Sequence, residues 1–210
     1  MIGEILPPAV AWAEAYHDET DAELPPEEEA VIARAVDARR RAFATGRACA
    51  RRALAGLGMD PAPIPRGERG APQWPTGVVG SITHCDGYRA AAVARDRDVA
   101  AIGIDAEPNG ALPAGVLSRI ATGDELPLVR ELSTSDARVS WDRLVFCAKE
   151  AVYKAWFPLA RARLGFEDAD VVSIRLGARS KHGCSCPGRW SAVGGSTGSR
   201  GGGWPGTACW

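Results

Sequence analysis

No part of this sequence approaches the roughly 20 consecutive apolar residues that span a bilayer, and its start lacks the basic-then-apolar pattern of a secretory leader. A membrane-spanning role is thereby excluded. A cytoplasmic protein is expected, with neither membrane nor nucleic acid as a partner. Compact cysteine spacing is also lacking: Cys49, Cys85 and Cys147 are scattered, which excludes a disulfide framework and suits reduced thiols. His182, Cys184, Cys186 and Cys209 lack the paired Cys-x2-Cys knuckles of structural zinc, so no zinc site is expected there. Internal repeats and sustained heptads are absent. Acid is absent from Val171 onward, where five basic residues stand without one Asp or Glu.

What is there is a chain of 210 residues, 46% hydrophobic and 24% charged, long enough to bury a sizeable core as one large domain or two small halves. Its net charge of −1 hides an asymmetry, because residues 1–170 hold 20 basic against 26 acidic residues. An acid-rich helix start is read at Pro25 to Glu29, continuing with few breakers from Ala30 to Leu57. Its apolar positions, Val31, Ile32, Ala35, Val36, Phe43, Ala50, Ala53 and Leu54, recur mostly at three- and four-residue intervals. The other face carries Arg39, Arg40, Arg41, Arg47, Arg51 and Arg52. Such a run is ordinarily a solvated face, but Arg39 and Arg47 share one side of a helix and could grip separated phosphates. Asp60 to Pro75, centred on Arg66-Gly67-Glu68-Arg69-Gly70, reads as a loop able to hold phosphate.

Val78 to His84 and Tyr88 to Val93 are expected as strands joined by a turn at Asp86-Gly87, with a third strand over Val99–Ile104. Trp141, Leu144, Val145, Ala148, Ala151, Val152, Ala155 and Trp156 form an apolar helical stripe that Pro158 is expected to stop. Phe166 to Ile174 reads as a turn leading into a short strand. Asp105 and Glu107 lie two apart on an extended segment and point the same way. Glu150 and Lys154 lie four apart on the helix, on the face away from the stripe. Each pair has a plain alternative, a polar strand end or an ordinary ion pair. Together they read as a site for Mg²⁺ and a phosphorylated substrate.

Gly103-Ile104-Asp105-Ala106-Glu107, with Phe146-x-x-Lys149-Glu150-Ala151-x-x-Lys154 downstream, resembles the signature of the 4'-phosphopantetheinyl transferases. The likeness includes Arg40 to Arg47, Trp74-Pro75-x-Gly77, Gly80 to Cys85 and Lys154 to Pro158. It runs from about Pro25 to Ile174 and is most like the Sfp/EntD-type enzymes of actinobacterial, mycobacterial-like kind. The resemblance implies an α+β fold of two pseudo-symmetric α/β halves with the active site at their junction. It implies Mg²⁺-dependent transfer of phosphopantetheine from coenzyme A to a serine of an apo acyl or peptidyl carrier protein, with release of 3',5'-ADP, by a monomer.

Asp105, Glu107 and Glu150 would then hold the metal, with Glu150 or a water it orients as base and Lys154 stabilising phosphoryl charge. Arg39, Arg47, Arg66, Arg69, Thr83, His84, Lys149 and Lys154 would bind the coenzyme; the plain alternative for His84 is a satisfied core histidine, and for the loop arginines solvated charges. Ala42 stands where the family often has Glu, and Ala106 cannot add a metal ligand. Arg161 and Arg163 are candidates for meeting an acidic carrier. Which pathway is served, fatty acid, polyketide, nonribosomal peptide or siderophore of the enterobactin type, is left open.

The expected organisation is a 1–108 half with coenzyme-binding bases and the carboxylate strand, a 109–175 half with the Lys-Glu-Ala helix, and a 176–210 tail. Ten of the 24 glycines lie in that tail, so little regular structure is expected, with the family's closing strands missing. A frame displaced by two nucleotides, read with GC-rich codons, would yield sequence resembling those strands. A catalytically impaired homologue that binds coenzyme A or carrier without turnover is the alternative function.

Overall fold

The computed structural model describes residues 2–171, together with the backbone of 175–176 and 192–193. The fold is α+β. Strand β1 (Ala11–Ala15), β2 (Val78–Cys85) and β3 (Tyr88–Arg95) form an antiparallel sheet in the order β1-β3-β2. Asp86-Gly87 closes the expected β2–β3 hairpin, with Gly87 at φ +66°, a conformation that glycine adopts without strain. Central β3 is rich in alanine, and Ala90 to Ala94 are wholly buried, so small side chains let layers approach both faces closely.

On one face lies the helix Asp37–Gly56, in contact through Cys49, Ala50, Ala53 and Leu54 with Val78, Ala91 and Val93. The continuous helix expected from Pro25 to Leu57 is corrected. A short helix α1 (Pro26–Glu29) and a 3-10 turn (Ala30–Ile32) are followed by Val36 in extended conformation, and only then does α2 (Asp37–Gly56) begin. Tertiary ion pairs explain the break. Glu28 is fully buried and accepts two bonds from Arg51 Nη1, at 2.9 and 3.2 Å, plus one from the Ile64 N–H at 2.7 Å. On one straight helix those two residues would be about 35 Å apart. Arg40 pairs with Glu29 and donates to the Ile32 carbonyl, while Arg52 pairs with Glu19. These three arginines therefore hold the acidic 19–29 segment against α2 instead of forming a solvated face.

On the other face of the sheet lie Val99, Ile102 and Ile104, buried with Tyr88, Ala90, Ala92 and Ala94. The third strand expected over Val99–Ile104 is not formed. Side-chain hydroxyls take the place of ladder bonds there: Ser81 Oγ accepts from the Ile104 N–H at 3.1 Å and Thr83 Oγ1 from the Ala106 N–H at 2.9 Å.

Past this segment come the short helix α3 (Leu117–Ile120), α4 (Glu125–Ser135) and the long α5 (Trp141–Ala160). Trp141, Leu144, Val145, Ala148, Ala151 and Val152 of the expected stripe pack against Val129, Val139, Ala169 and Val171. Pro158 does not stop α5, which runs on to Ala160 and ends at Arg161 with φ +51°. A proline in the last turn removes one N–H bond, and the turn completes through Arg161 N–H to Phe157 O. Phe166–Asp168 forms a 3-10 turn, and β4 (Arg175–Leu176) pairs antiparallel with β5 (Ala192–Val193). The remaining readings of the tail, including its cysteines and the displaced frame, lie outside the described residues.

Candidate functional site

Neighbouring residues of β2 point to opposite faces of the sheet, and this alternation organises the site. His84 faces the α2 side. There a pocket of about 340 Å³ is lined by Arg39, Arg47, Arg66 and His84, with Val31, Ile32, Phe43 and Ile82 among its apolar walls. Of the six arginines on α2, Arg40, Arg51 and Arg52 are paired with carboxylates, whereas Arg39 and Arg47, the two placed on one face by spacing, open into the pocket.

Arg47 is only 6% exposed, its guanidinium stands 4.6 Å from the centre of the Phe43 ring, and its buried Nε has no hydrogen-bond partner. Burial pulls its pKa down to about 10, against a smaller opposing effect of Glu28. An unpaired buried guanidinium is costly to keep, and an anion would satisfy it. Arg39 Nη1 contacts His84 Nε2, so the ring is neutral there and accepts from the arginine. Although His84 keeps an exposed edge, partial desolvation first, then the charges of Arg39, Lys154 and Arg89, bring it down to about 4. Arg66 reaches the same pocket from the loop, folded over Gly70, whose φ of +84° and missing side chain leave it room.

Thr83, expected among the coenzyme-binding residues, points the other way. It is 1% exposed, and its hydroxyl, besides accepting from Ala106, donates to Asp105 Oδ1 at 3.2 Å. It sets the carboxylate segment. Gly103 brings that segment against α5, because a Cβ there would stand 1.9 Å from the Ala151 carbonyl oxygen. Residues 143, 147, 150 and 154, at helical spacing, form the α5 face that meets it. Lys154 Nζ donates to Asp105 Oδ1 at 2.6 Å and to Ile104 O at 3.1 Å, and Arg143 Nη1 to Glu107 Oε2 at 3.1 Å.

Glu107 and Glu150 are both raised above the usual carboxylate range, by burial first and then by the charge of Asp105, with Glu107 also acting on Glu150. Asp105 Oδ2 is buried without a hydrogen-bond partner. Among the described residues no three His, Cys, Asp or Glu side chains are drawn together as a closed metal-binding group. The donor set nevertheless fits a hard divalent cation: all its groups are carboxylate oxygens, one of them orphaned, and their mutual repulsion is what such a cation relieves.

Lys149, expected among the coenzyme-binding residues, borders the pocket of Glu150 but is 2% exposed, and its ammonium bonds Glu125 Oε2 at 2.7 Å, Ile120 O at 2.7 Å and Phe166 O at 2.8 Å, so all three donors are used inside the protein. Glu125, equally buried, also accepts from the N–H groups of Thr122 and Val171. Sequence reading missed Glu125, although the position of Lys149 between Val145 and Val152 on the apolar stripe hinted at burial. Arg69 is separated from Arg66 as well. It lines a smaller pocket of about 170 Å³ with Glu150, Tyr153, Arg163 and Phe166, and its guanidinium stands 6.0 Å from the Phe157 ring centre. The two clusters adjoin, since Lys154 and Asp105 act electrostatically on His84.

Two sequence models match the chain: the 4'-phosphopantetheinyl transferase N-terminal domain over residues 27–94 and the 4'-phosphopantetheinyl transferase superfamily over residues 101–209. The chain is 55% identical over 173 residues to 4'-phosphopantetheinyl transferase Npt of Nocardia iowensis, covering 82% of this chain and 76% of that protein. It is 50% identical over 178 residues to 4'-phosphopantetheinyl transferase PptT of Mycobacterium tuberculosis, covering 82% and 77%. Enterobactin synthase component D of Salmonella typhi is 31% identical over 140 residues, 65% of this chain and 56% of that protein. With one superfamily match over more than half its length and relatives this similar, the chain belongs to the 4'-phosphopantetheinyl transferase superfamily.

Proposed function

We propose that the chain transfers the phosphopantetheine arm of coenzyme A to a serine hydroxyl of an apo acyl or peptidyl carrier protein, with Mg²⁺, releasing 3',5'-ADP. The observation that carries this reading is the two-sided arrangement about β2. One residue, His84, lines a cationic pocket with an unpaired buried arginine, and the next, Thr83, holds the carboxylate segment.

In this reading Arg39, Arg47, Arg66 and His84 take the phosphates at the nucleotide end of coenzyme A, and the apolar pocket wall takes its base. Asp105, Glu107 and Glu150 would hold Mg²⁺, which would supply neutralising charge for the phosphates and for the leaving group. The serine oxygen forms a bond to the phosphorus that carries the pantetheine arm, and the bond from that phosphorus to the oxygen of the leaving 3',5'-ADP breaks. Glu150, or a water it orients, takes the serine proton, and the water suits the role better, because a carboxylate committed to Mg²⁺ has reduced basicity. Lys154, anchored on Asp105 and Ile104 O, supplies positive charge beside the phosphoryl oxygens.

Arg161 ends α5 exposed and Arg163 lines the pocket that contains Glu150, and these two exposed cations support an approach of the acidic carrier from this side. Reversing both charges is expected to raise carrier KM, and an unchanged KM would remove this surface from the reading. The reaction itself is tested by intact-mass spectrometry of an apo carrier incubated with the chain, coenzyme A and Mg²⁺. A pantetheine-sized gain that Glu150→Ala abolishes supports the transfer. Absence of any gain from folded protein points to the impaired homologue.

A further inference from the structure

We propose that Arg143 is the positioning residue for Glu107: it fixes one carboxylate oxygen and the chain that follows, so that the other oxygen is presented to the divalent cation. The inference rests on the metal reading above. All three guanidinium nitrogens of Arg143 are committed to one short segment: Nη1 to Glu107 Oε2 at 3.1 Å, Nε to Gly110 O at 3.0 Å and Nη2 to Ala111 O at 3.1 Å.

The planar fork of an arginine can make these three bonds at once, which a lysine ammonium on a flexible stem cannot do in the same geometry. Nearby bonds fasten the same stretch. Asp142 Oδ2 accepts from the Leu112 N–H at 2.8 Å, Asn109 Oδ1 accepts from the Ser140 N–H at 2.8 Å, and Asn109 Nδ2 donates to Arg138 O at 2.8 Å. Residues 107–112 are thus laced to the first turn of α5 and the turn before it.

Position on the helix gives this lacing its consequence. Arg143 precedes Glu150 by seven residues, about two helical turns, and so stands on the same face. Lys154 engages Asp105 from that face, as Arg143 engages Glu107. One helix therefore carries a metal ligand, Glu150, and the counter-ions that set the other two. A carboxylate held through one oxygen keeps its other oxygen free, whereas a half-exposed glutamate without a tether would sample several rotamers and give up that freedom on binding.

The test is Mn²⁺ binding followed by electron paramagnetic resonance, with coenzyme A affinity measured by calorimetry on the same samples, for wild type, Arg143→Met and Arg143→Lys. The expected result is a loss of Mn²⁺ affinity of about tenfold in Arg143→Met, the scale of a lost orienting contact to a metal ligand. Metal-free coenzyme A affinity stays the same, and Arg143→Lys falls between the two. In turnover the variants raise the Mg²⁺ concentration needed for half-maximal rate and leave carrier KM unchanged. A purely structural tie would lower the melting temperature while the folded protein bound Mn²⁺ as wild type does, and that outcome overturns the proposal. If Arg143→Met does not fold, wild-type Mn²⁺ affinity in Arg143→Lys overturns it equally. A wild type that binds no Mn²⁺ rejects the metal reading itself, and this inference with it.

Discussion

Arg47 holds its charge inside the protein with an unpartnered Nε, so removing it has opposite effects on binding and on the fold. Arg47→Met should lower coenzyme A affinity about tenfold to a hundredfold, the worth of roughly 1.5–3 kcal/mol for a charged hydrogen bond. Its melting temperature should hold or rise, because a buried guanidinium with an unsatisfied Nε–H is replaced by an apolar chain of similar reach. Calorimetric titration alongside thermal melts checks both, and a collapsed melt with intact affinity would reverse the assignment. His84 is held at about 4 from an ordinary 6.5. Its folded pKa is depressed, so its contribution to stability is fully present above about 6.5 and is lost as the pH falls through about 4. An anion in the pocket should move that titration upward, visible in the ring proton shifts of His84 with and without coenzyme A. No movement on saturation would take His84 out of the phosphate site.

At the scale of elements, the buried Lys149–Glu125 pair ties α3, α4, α5 and the Phe166 turn together around the Glu150 pocket. Lys149→Met leaves the buried Glu125 charge without its counter-ion, held only by the Thr122 and Val171 N–H groups, at a cost of about 3–5 kcal/mol, while the double variant Lys149→Met, Glu125→Gln should regain much of it. Denaturant midpoints read this directly. If Lys149→Met instead lost coenzyme affinity at unchanged stability, the coenzyme-binding role expected from sequence would stand. The β2–β3 hairpin was legible because its alternation and its Asp-Gly turn are local. The break before α2 was not, since its causes, Glu28 on Arg51 and on the Ile64 N–H, act across 23 and 36 residues. Val99–Ile104 looked like a strand because its apolar pattern is that of one. It packs instead over one face of the sheet, where the Ser81 and Thr83 hydroxyls, not a strand edge, accept the N–H groups of Ile104 and Ala106.

For the molecule as a whole, the carboxylate cluster links stability to metal. Glu107 and Glu150 have raised folded pKa values, so their contribution is present below about 4.5 and is lost as the pH rises through those values. At neutral pH the metal-free protein therefore carries a repulsion that a divalent cation would relieve. Mg²⁺ should raise the melting temperature at neutral pH, less so near pH 5, and hardly at all in Asp105→Asn; at a hundredfold excess over Kd the gain is about 2.7 kcal/mol. Scanning calorimetry across that pH range checks it, and a Mg²⁺ effect that survives in Asp105→Asn would place the cation elsewhere.

Sequence alone determined what depends on short spacing: Asp105 and Glu107 on one side of an extended segment, Glu150 and Lys154 on one side of a helix, Arg39 and Arg47 on another. It also determined the family, through motifs that carry those spacings. Tertiary structure decided which charges were available. Arg40, Arg51 and Arg52 look like Arg39 and Arg47 in the chain, yet only the latter two open into the pocket, because the others meet carboxylates brought in from 19–29. Lys149 and Lys154 stand in one motif, yet one is consumed in the core and the other meets Asp105. Spacing sets direction along an element, but whether a charged group is left for a ligand depends on what the rest of the chain brings to it. That is a matter of contacts distant in sequence.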